Sequence, residues 1–175
     1  MFGPWNRFLD RVYSVILEND ASLTDSDMHG LASFSQIEGL DIRNNKITDA
    51  GLEHVGRLIS LKEVDLCQIS ITDEGVRHLQ TLRSLEDLGL RFTMATEASL
   101  DALAGLPKIR RLGLAGMPLS EKGMQKFEKF KNLQQLVITS ANVSQKGLDN
   151  LRQACPNLQI LVGDDCILPA QTPAQ

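Results

Sequence analysis

One pattern recurs every 24 residues through most of this chain, and a fixed period of that size restricts the fold to an array of similar units lying side by side. Ile37, Leu61, Leu85, Ile109 and Leu133 open successive copies. Leu40, Val64, Leu88, Leu112 and Leu136 follow three positions on, and Ile42, Leu66, Leu90, Leu114 and Ile138 two beyond those. Each copy therefore begins LxxLxL. Its second half starts at Ile47, Ile71, Ala95, Leu119 and Val143 and continues with Thr48, Thr72, Thr96, Ser120 and Ser144. It then passes, in most copies through an acid, to Gly51, Gly75, Gly123 or Gly147.

The two halves carry different periods. Alternation of apolar and polar residues in LxxLxL predicts a strand with one buried face. In the second half Leu52, Val55 and Leu58 recur at helical spacing, as do Val76, Leu79 and Leu82, then Leu100, Leu103 and Leu106, then Met124, Phe127 and Phe130. Thr48 is placed to cap the first amides of its helix, Asp49 suits the positive end of the dipole, and Ile47 can staple onto Leu52. The repeated glycines read as places where a helix approaches its neighbour. Strands stack about 4.8 Å apart while helices need about 8 to 10 Å, so such an array bends with its strands inside the curve.

The period extends outward from the five clear copies. Leu23-Thr24-Asp25-Ser26-Asp27-Met28, with Leu31 and Phe34, matches the second half of a unit, and Val12, Val15 and Leu17 supply the strand before it. Leu158, Leu161 and Gly163 read as a last, weaker strand, giving seven strands and six helices in all. The expected organisation is one domain over 1–175. Residues 1–11, with Phe2, Trp5, Phe8 and Leu9, form an N-terminal cap, 12–167 form the repeats, and 168–175 form a frayed tail.

These motifs resemble the leucine-rich repeat of the ribonuclease-inhibitor-like and cysteine-containing kinds. Ile47-Thr48-Asp49-Ala50-Gly51-Leu52 and Ile71-Thr72-Asp73-Glu74-Gly75-Val76 carry the likeness, which extends to bacterial repeats of the LTDxGLxxL style. Cys155-Pro156-Asn157-Leu158, followed by Leu161 and Cys166, looks like the CPxLxxLxxxxC seam of the cysteine-containing repeats. The resemblance implies an α/β fold: a curved leucine-rich-repeat solenoid, or horseshoe, with a parallel sheet on the concave face and helices on the convex face. It also implies a non-catalytic protein–protein interaction scaffold, or alternatively the substrate-recognition part of a ubiquitin ligase. Only 36 residues precede the first complete copy, and they read as cap and half-repeat, so an adaptor-binding helical domain is not expected there. One departure stands out: the family's Asn or Cys ladder position holds Asn45 and Cys166 but otherwise Ile69, Thr93, Met117 and Ala141, so the hydrogen bonding of the loops should be patchy.

At 175 residues the chain is long enough to bury about 70% of its unfolded surface. Its net charge of −4 makes no electrostatic case for nucleic acid or an anionic membrane. Three cysteines, with Cys67 far in sequence from Cys155 and Cys166, do not form a secreted disulfide framework, so a reducing, cytoplasmic setting is expected. Arg7, Asp10 and Arg11 interrupt the only stretch resembling a targeting segment. His54 and His78 lie one period apart, but the pattern supplies no third metal ligand, and His29 falls one helix position out of their column. Cys155 and Cys166 read as core fillers. Phosphate-loop, HExxH and GxSxG motifs are absent, so no cofactor, metal or catalytic residue is expected.

Recognition is expected on the concave face. If Leu40 and Ile42 point inward, the intervening positions form outward rows. One runs Asp41, Asp65, Gly89, Gly113, Val137, Val162; another Gly39, Glu63, Asp87, Arg111, Gln135, Ile160; a third Arg43, Cys67, Arg91, Ala115, Thr139, Asp164. The candidate partner-binding residues are Asp41, Arg43, Glu63, Asp65, Asp87, Arg91, Phe92 and Arg111, and the partner is another protein bound by a monomer. On a second reading these charges merely pair across strands, for about 0.2 to 1 kcal/mol each. A third assigns the chain an assembly role, docking through its N-terminal edge with Trp5 and Phe8. The repeat register itself makes a prediction: Leu88→Asp buries an unpaired charge and costs several kcal/mol or abolishes folding, which thermal melting checks.

Overall fold

The computed structural model describes residues 13–163, apart from 35 and 140–142. The cap expected over 1–11 and the tail over 168–175 lie outside the described residues, as do Asp164 and Cys166. Seven strands form one parallel sheet in chain order: β1 (Ser14–Ile16), β2 (Gly39–Asp41), β3 (Glu63–Asp65), β4 (Asp87–Gly89), β5 (Arg111–Gly113), β6 (Gln135–Ile138) and β7 (Gln159–Val162). Among the described residues six α-helices alternate with them: α1 (Asp25–Met28), α2 (Asp49–Val55), α3 (Asp73–His78), α4 (Leu100–Leu103), α5 (Glu121–Gln125) and α6 (Gln145–Ala154). Three of these, α1, α3 and α5, run directly into 3-10 turns at His29–Ser33, Leu79–Thr81 and Lys126–Lys129. The fold is a curved leucine-rich-repeat solenoid with strands on the concave side and helices on the convex side, as the period implies.

The register keeps the sequence period: Leu40 pairs with Val64, Val64 with Leu88, Leu88 with Leu112 and Leu112 with Leu136. All of these side chains are buried, together with Ile42, Leu66, Leu90 and Leu114 one pleat on. From the other side the helical positions Leu52 and Val55, Val76 and Leu79, Leu100 and Leu103, Met124 and Phe127 close the same continuous core. No unit has a core of its own; each becomes dry only between its neighbours.

The last strand differs from the expected alignment by one residue. Ile160 pairs with Leu136, and Leu161 lies opposite Val137. Ile160 and Leu158 pack against the core, whereas Leu161 falls in the outward row. The 24-residue spacing of the backbone ladder therefore prevails over the apolar spacing of Leu158 and Leu161. The row order given above holds through β6 and shifts by one residue at β7.

The threonine and the acid of each unit do more than start a helix. Thr48 does not cap α2 with its side chain. Instead Asp25 reaches across from the preceding unit: its Oδ1 accepts the Thr48 N–H at 2.8 Å and its Oδ2 accepts the Thr48 hydroxyl at 2.6 Å. Asp49 grips Thr72 in the same two-pronged way (2.8 and 2.6 Å), Asp73 grips Thr96 (2.8 and 2.7 Å), and Glu97 grips Ser120 (2.7 and 2.8 Å). Four charge-assisted clamps thus tie five consecutive units along the helix side of the array. Capping of the expected kind survives alongside them, where Thr72 Oγ1 accepts from Glu74 N at 3.2 Å and Ser120 Oγ from Gly123 N at 3.1 Å.

Three of the four repeated glycines are explained by the same carboxylate, while a methyl at Gly147 would meet the Ser144 hydroxyl and the Met124 side chain. A methyl carbon at Gly51 would sit 2.6 Å from Asp25 Oδ1, and the same collision with the clamping acid arises at Gly75 with Asp49 and at Gly123 with Glu97. The close neighbour is thus a side chain, not the helix backbone. Gly56 does meet backbone, since a methyl there would strike the His78 carbonyl. In the fourth unit buried Ser99 stands in the glycine's place, its hydroxyl donates to the Thr96 carbonyl at 2.7 Å, and α4 begins only at the next residue.

Both ends of this clamp series are closed by local substitutes. In the first unit Asp27 occupies the glycine position, and its own Oδ2 accepts the Thr24 N–H and hydroxyl, each at 2.8 Å. Those bonds from Thr24 hold the Asp27 carboxyl below its usual range. At the far end Glu121 keeps the acid but pairs with Lys146 at 3.2 Å, and Ser144 Oγ accepts from Gly147 N at 3.0 Å within its own unit. Gly75→Ala is expected to push Asp49 off Thr72 and cost about 1 to 3 kcal/mol, as overpacking does. Gly30→Ala, whose methyl would meet nothing within 4 Å, should change the urea midpoint little, and the comparison of the two curves checks the clamp.

Candidate functional site

The concave face is built by residues between the buried pleats of β2 to β5 and in the turns that follow. Its first half is a network around Arg43. The Arg43 guanidinium donates to Glu18 Oε2 at 2.6 Å, pairs with Asp41 Oδ2 at 2.8 Å and lies 3.9 Å from Asp65 Oδ2. Burial raises the Asp41 carboxyl, a shift opposed by the bond from the Arg43 amide. Glu18, one unit ahead of the candidate residues, belongs to this network although the strand pattern does not mark it.

Farther along, Asp65 leans over Gly89, where a methyl would come within 2.7 Å of its Oδ1. Asp65 also accepts the Cys67 amide at 3.0 Å. Arg91 runs across Gly113 with its Nε donating to Cys67 Sγ at 3.4 Å, and both side chains are enclosed, Arg91 at 0% exposure and Cys67 at 1%. Arg111 grips Asp87 with two parallel bonds across the β4–β5 pair. Asp87 is buried, and Glu63 at the equivalent place on β3 is exposed.

The structure therefore brings Asp41, Arg43 and Asp65 together as one cluster and Asp87 with Arg111 as a second. Arg91 is part of the floor, and Glu63 projects to solvent. Phe92 sits beyond the strand end, 42% exposed. It occupies a turn position repeated along the array: Asn19, Asn44, Gln68, Phe92 and Gly116 all have positive φ, between 54 and 90°. Nothing in the apolar pattern marks this row, although Asn at two of its places and Gly at a third are its chemical signature.

The loop ladder is patchy as expected. Asn45 Nδ2 donates to the Leu17 and Ile42 carbonyls, and Asn45 Oδ1 accepts the Asp20 amide at 2.7 Å. Two units on, Thr93 bonds only its own unit, donating to the Leu90 carbonyl at 2.9 Å, while Ile69 and Met117 simply join the core. His29 lies closer to the histidine column than its sequence position implies, its ring meeting that of His54 edge-on at 5.3 Å. Among the described residues no group of three or more His, Cys, Asp or Glu is arranged to hold a metal ion. No described helix is long and apolar enough to cross a membrane.

A family model described as "FBD-associated F-box protein At5g56370, LRR repeats" matches residues 76–172. The chain belongs to the leucine-rich-repeat proteins. Among solved structures, this leucine-rich-repeat protein is similar to an internalin (inlF) from Listeria monocytogenes, with 20% identity and a TM-score of 0.63 over 91% of its own length and 45% of the internalin. It is also similar to internalin C2 of that organism, with 21% identity and a TM-score of 0.61 over 92% of its own length and 77% of the other chain. A third likeness is to the plant peptide hormone receptor RGFR1 in complex with RGF2, with 18% identity and a TM-score of 0.52 over 85% of its own length and 24% of the receptor. These likenesses concern the fold. No curated protein sequence matches the chain.

The enclosed thiol supplies a test of this geometry. Burial, and after it the Asp65 charge, push Cys67 up to about 12 from an ordinary 9.0. The unfolded thiol ionises first, so the folded state should lose stability as pH rises from 9 toward 12. At pH 8 alkylation read by peptide mapping should leave Cys67 unmodified until urea unfolds the chain.

Proposed function

We propose that this leucine-rich-repeat protein is a non-catalytic scaffold that binds another protein through the concave face of its sheet. The reading includes a monomeric protein in a reducing, cytoplasmic setting that uses no metal or cofactor and does not bind nucleic acid or membrane. The observation that carries it is the arrangement of charge on that face. Arg43 is held by Asp41 of its own unit and Glu18 of the unit before, and Arg111 by Asp87 on the neighbouring strand, so little side-chain freedom remains to be lost on binding, and exposed Glu63 stands between the two clusters. The receptor seen with RGF2 supports the use of this fold for holding a protein or peptide ligand. A second reading, the substrate-recognition part of a ubiquitin ligase, is favoured by the F-box protein named in the matching family model and would use the same face.

Because Arg91 is enclosed, its replacement would disturb the floor of the sheet and is a poor test of binding. Glu63 is the better position. In affinity purification followed by mass spectrometry, Glu63→Lys should reduce recovery of a specific partner by about tenfold, or about 1.4 kcal/mol of binding, while its melting curve stays that of the wild type. Recovery unaffected by Glu63→Lys would move the site off the concave sheet.

A further inference from the structure

Three consecutive loops at the carboxyl ends of the strands, 68–72, 92–96 and 116–120, contain no Asp, Glu, Lys or Arg, although 23% of the chain is charged and the two loops before them carry Asp20 and Lys46. Lateral stacking of the units places these loops side by side as one uncharged rim. Phe92 and Met94 project from the middle loop at 42% and 64% exposure, and Pro118 is exposed on the next. The projecting residues are held from both sides: the Phe92 amide donates to the Ala115 carbonyl at 2.8 Å, and the Met94 amide to the Ile71 carbonyl at 2.9 Å.

Phe92 also has a conformation that its residue type disfavours. Its φ is 56°, in the left-handed region where a bulky side chain is strained and which Asn19, Asn44 and Gly116 occupy at equivalent places more easily. Gly116, itself at φ 90°, leaves room for the Phe92 ring, since a methyl there would lie 2.8 Å from Phe92 Cδ1. An aromatic ring is thus fixed on the rim at a conformational cost, with space cleared beside it and a second apolar side chain two residues on. Strain of this kind persists where the side chain has a use beyond the fold.

We propose that this rim is a docking surface for a short, uncharged, apolar segment of a partner protein, separate from the charged concave floor. Charge complementarity selects the occupant. The three loops carry no ionisable side chain, and the carboxylates at their far edge, Asp49, Asp73 and Glu97, are already engaged by Thr72, Thr96 and Ser120, so a charged segment laid across Phe92 and Met94 would be desolvated with little compensation. It likewise offers no cation to a lipid headgroup, and the net charge of −4 opposes an anionic bilayer. Three loops at strand spacing span about 10 Å, enough for about three extended residues, so two or three apolar side chains are read. Phe92, grouped with the concave candidates by the sequence pattern, belongs to this rim.

The test uses the full chain and a phage-displayed random peptide library as the probe. Enriched peptides should be apolar and free of charge. In fluorescence anisotropy they should bind Met94→Glu and Phe92→Asn about tenfold more weakly than wild type and bind Glu63→Lys unchanged. Phe92→Asn relieves the left-handed strain, so its melting temperature should be no lower than that of the wild type, a combination of retained stability and lost binding that a structural role for Phe92 would not give. Absence of enrichment, a charged consensus, or binding indifferent to Met94→Glu overturns the proposal. Peptides that lose affinity only with Glu63→Lys also overturn it, while supporting the concave site. A dimer in gel filtration that Met94→Glu dissociates, or co-sedimentation with phosphatidylcholine vesicles that it abolishes, would give the rim a different occupant and likewise overturn it.

Discussion

Four units of this array depend on a carboxylate borrowed from the unit before. A strand of three or four residues and a helix of one to three turns cannot close a core, and neither would be stable alone. Two interactions hold such weak elements in step: the parallel ladder of β1 to β7 on one side, and the clamps from Asp25, Asp49, Asp73 and Glu97 on the other. With both sides pinned at one rung per unit, the leucines between them are brought into register and the core becomes continuous. The clamps also determine what the helix side can hold, because the gripping carboxylate occupies the space that a side chain at Gly51, Gly75 or Gly123 would need.

Much of this architecture is legible in the apolar period. The buried positions of LxxLxL and of the helices, and the parallel neighbour order, follow from it because burial and spacing are the same statement in a solenoid. The clamps are not legible by the same route. Local physics already accounts for a threonine followed by aspartate at a helix start, so nothing in one unit signals that Asp25 bonds Thr48 rather than its own helix. A partial clue lies in comparing units: the glycine beside the clamp becomes Asp27 where Thr24 is held within its own unit, whereas at the far end Glu121 keeps the acid and pairs with Lys146 instead. The last strand shows the converse error. Leu158 and Leu161 copy the apolar spacing, yet backbone pairing carries Ile160 to the place opposite Leu136.

The candidate site was only partly legible, for a related reason. Alternation assigns Asp41, Arg43, Glu63, Asp65, Asp87, Arg91 and Arg111 to one face, but it does not say which of them pair. Exposure depends on neighbours across strands: glycines at 89 and 113 let Asp65 and Arg91 lie flat, and Arg91 becomes part of the floor. What remains projecting is Glu63 on the sheet and Phe92 and Met94 beyond it. The turn row with positive φ is not legible by this route, because a left-handed residue leaves no mark in hydropathy.

Asp27 has a consequence for how such arrays acquire a length. Interior units of the helix side are interchangeable in kind, each receiving a carboxylate and passing one on, so their chemistry contains no stopping rule. By supplying its own acceptor in the place where a donor's carboxylate would rest, the first unit becomes a receiver already satisfied, and at the other margin Glu121 turns to Lys146 instead of passing its carboxylate to Ser144. Growth or shrinkage by whole units is therefore accommodated between these two residues, where every new junction would repeat an existing one, while the polar terminators travel unchanged at the margins.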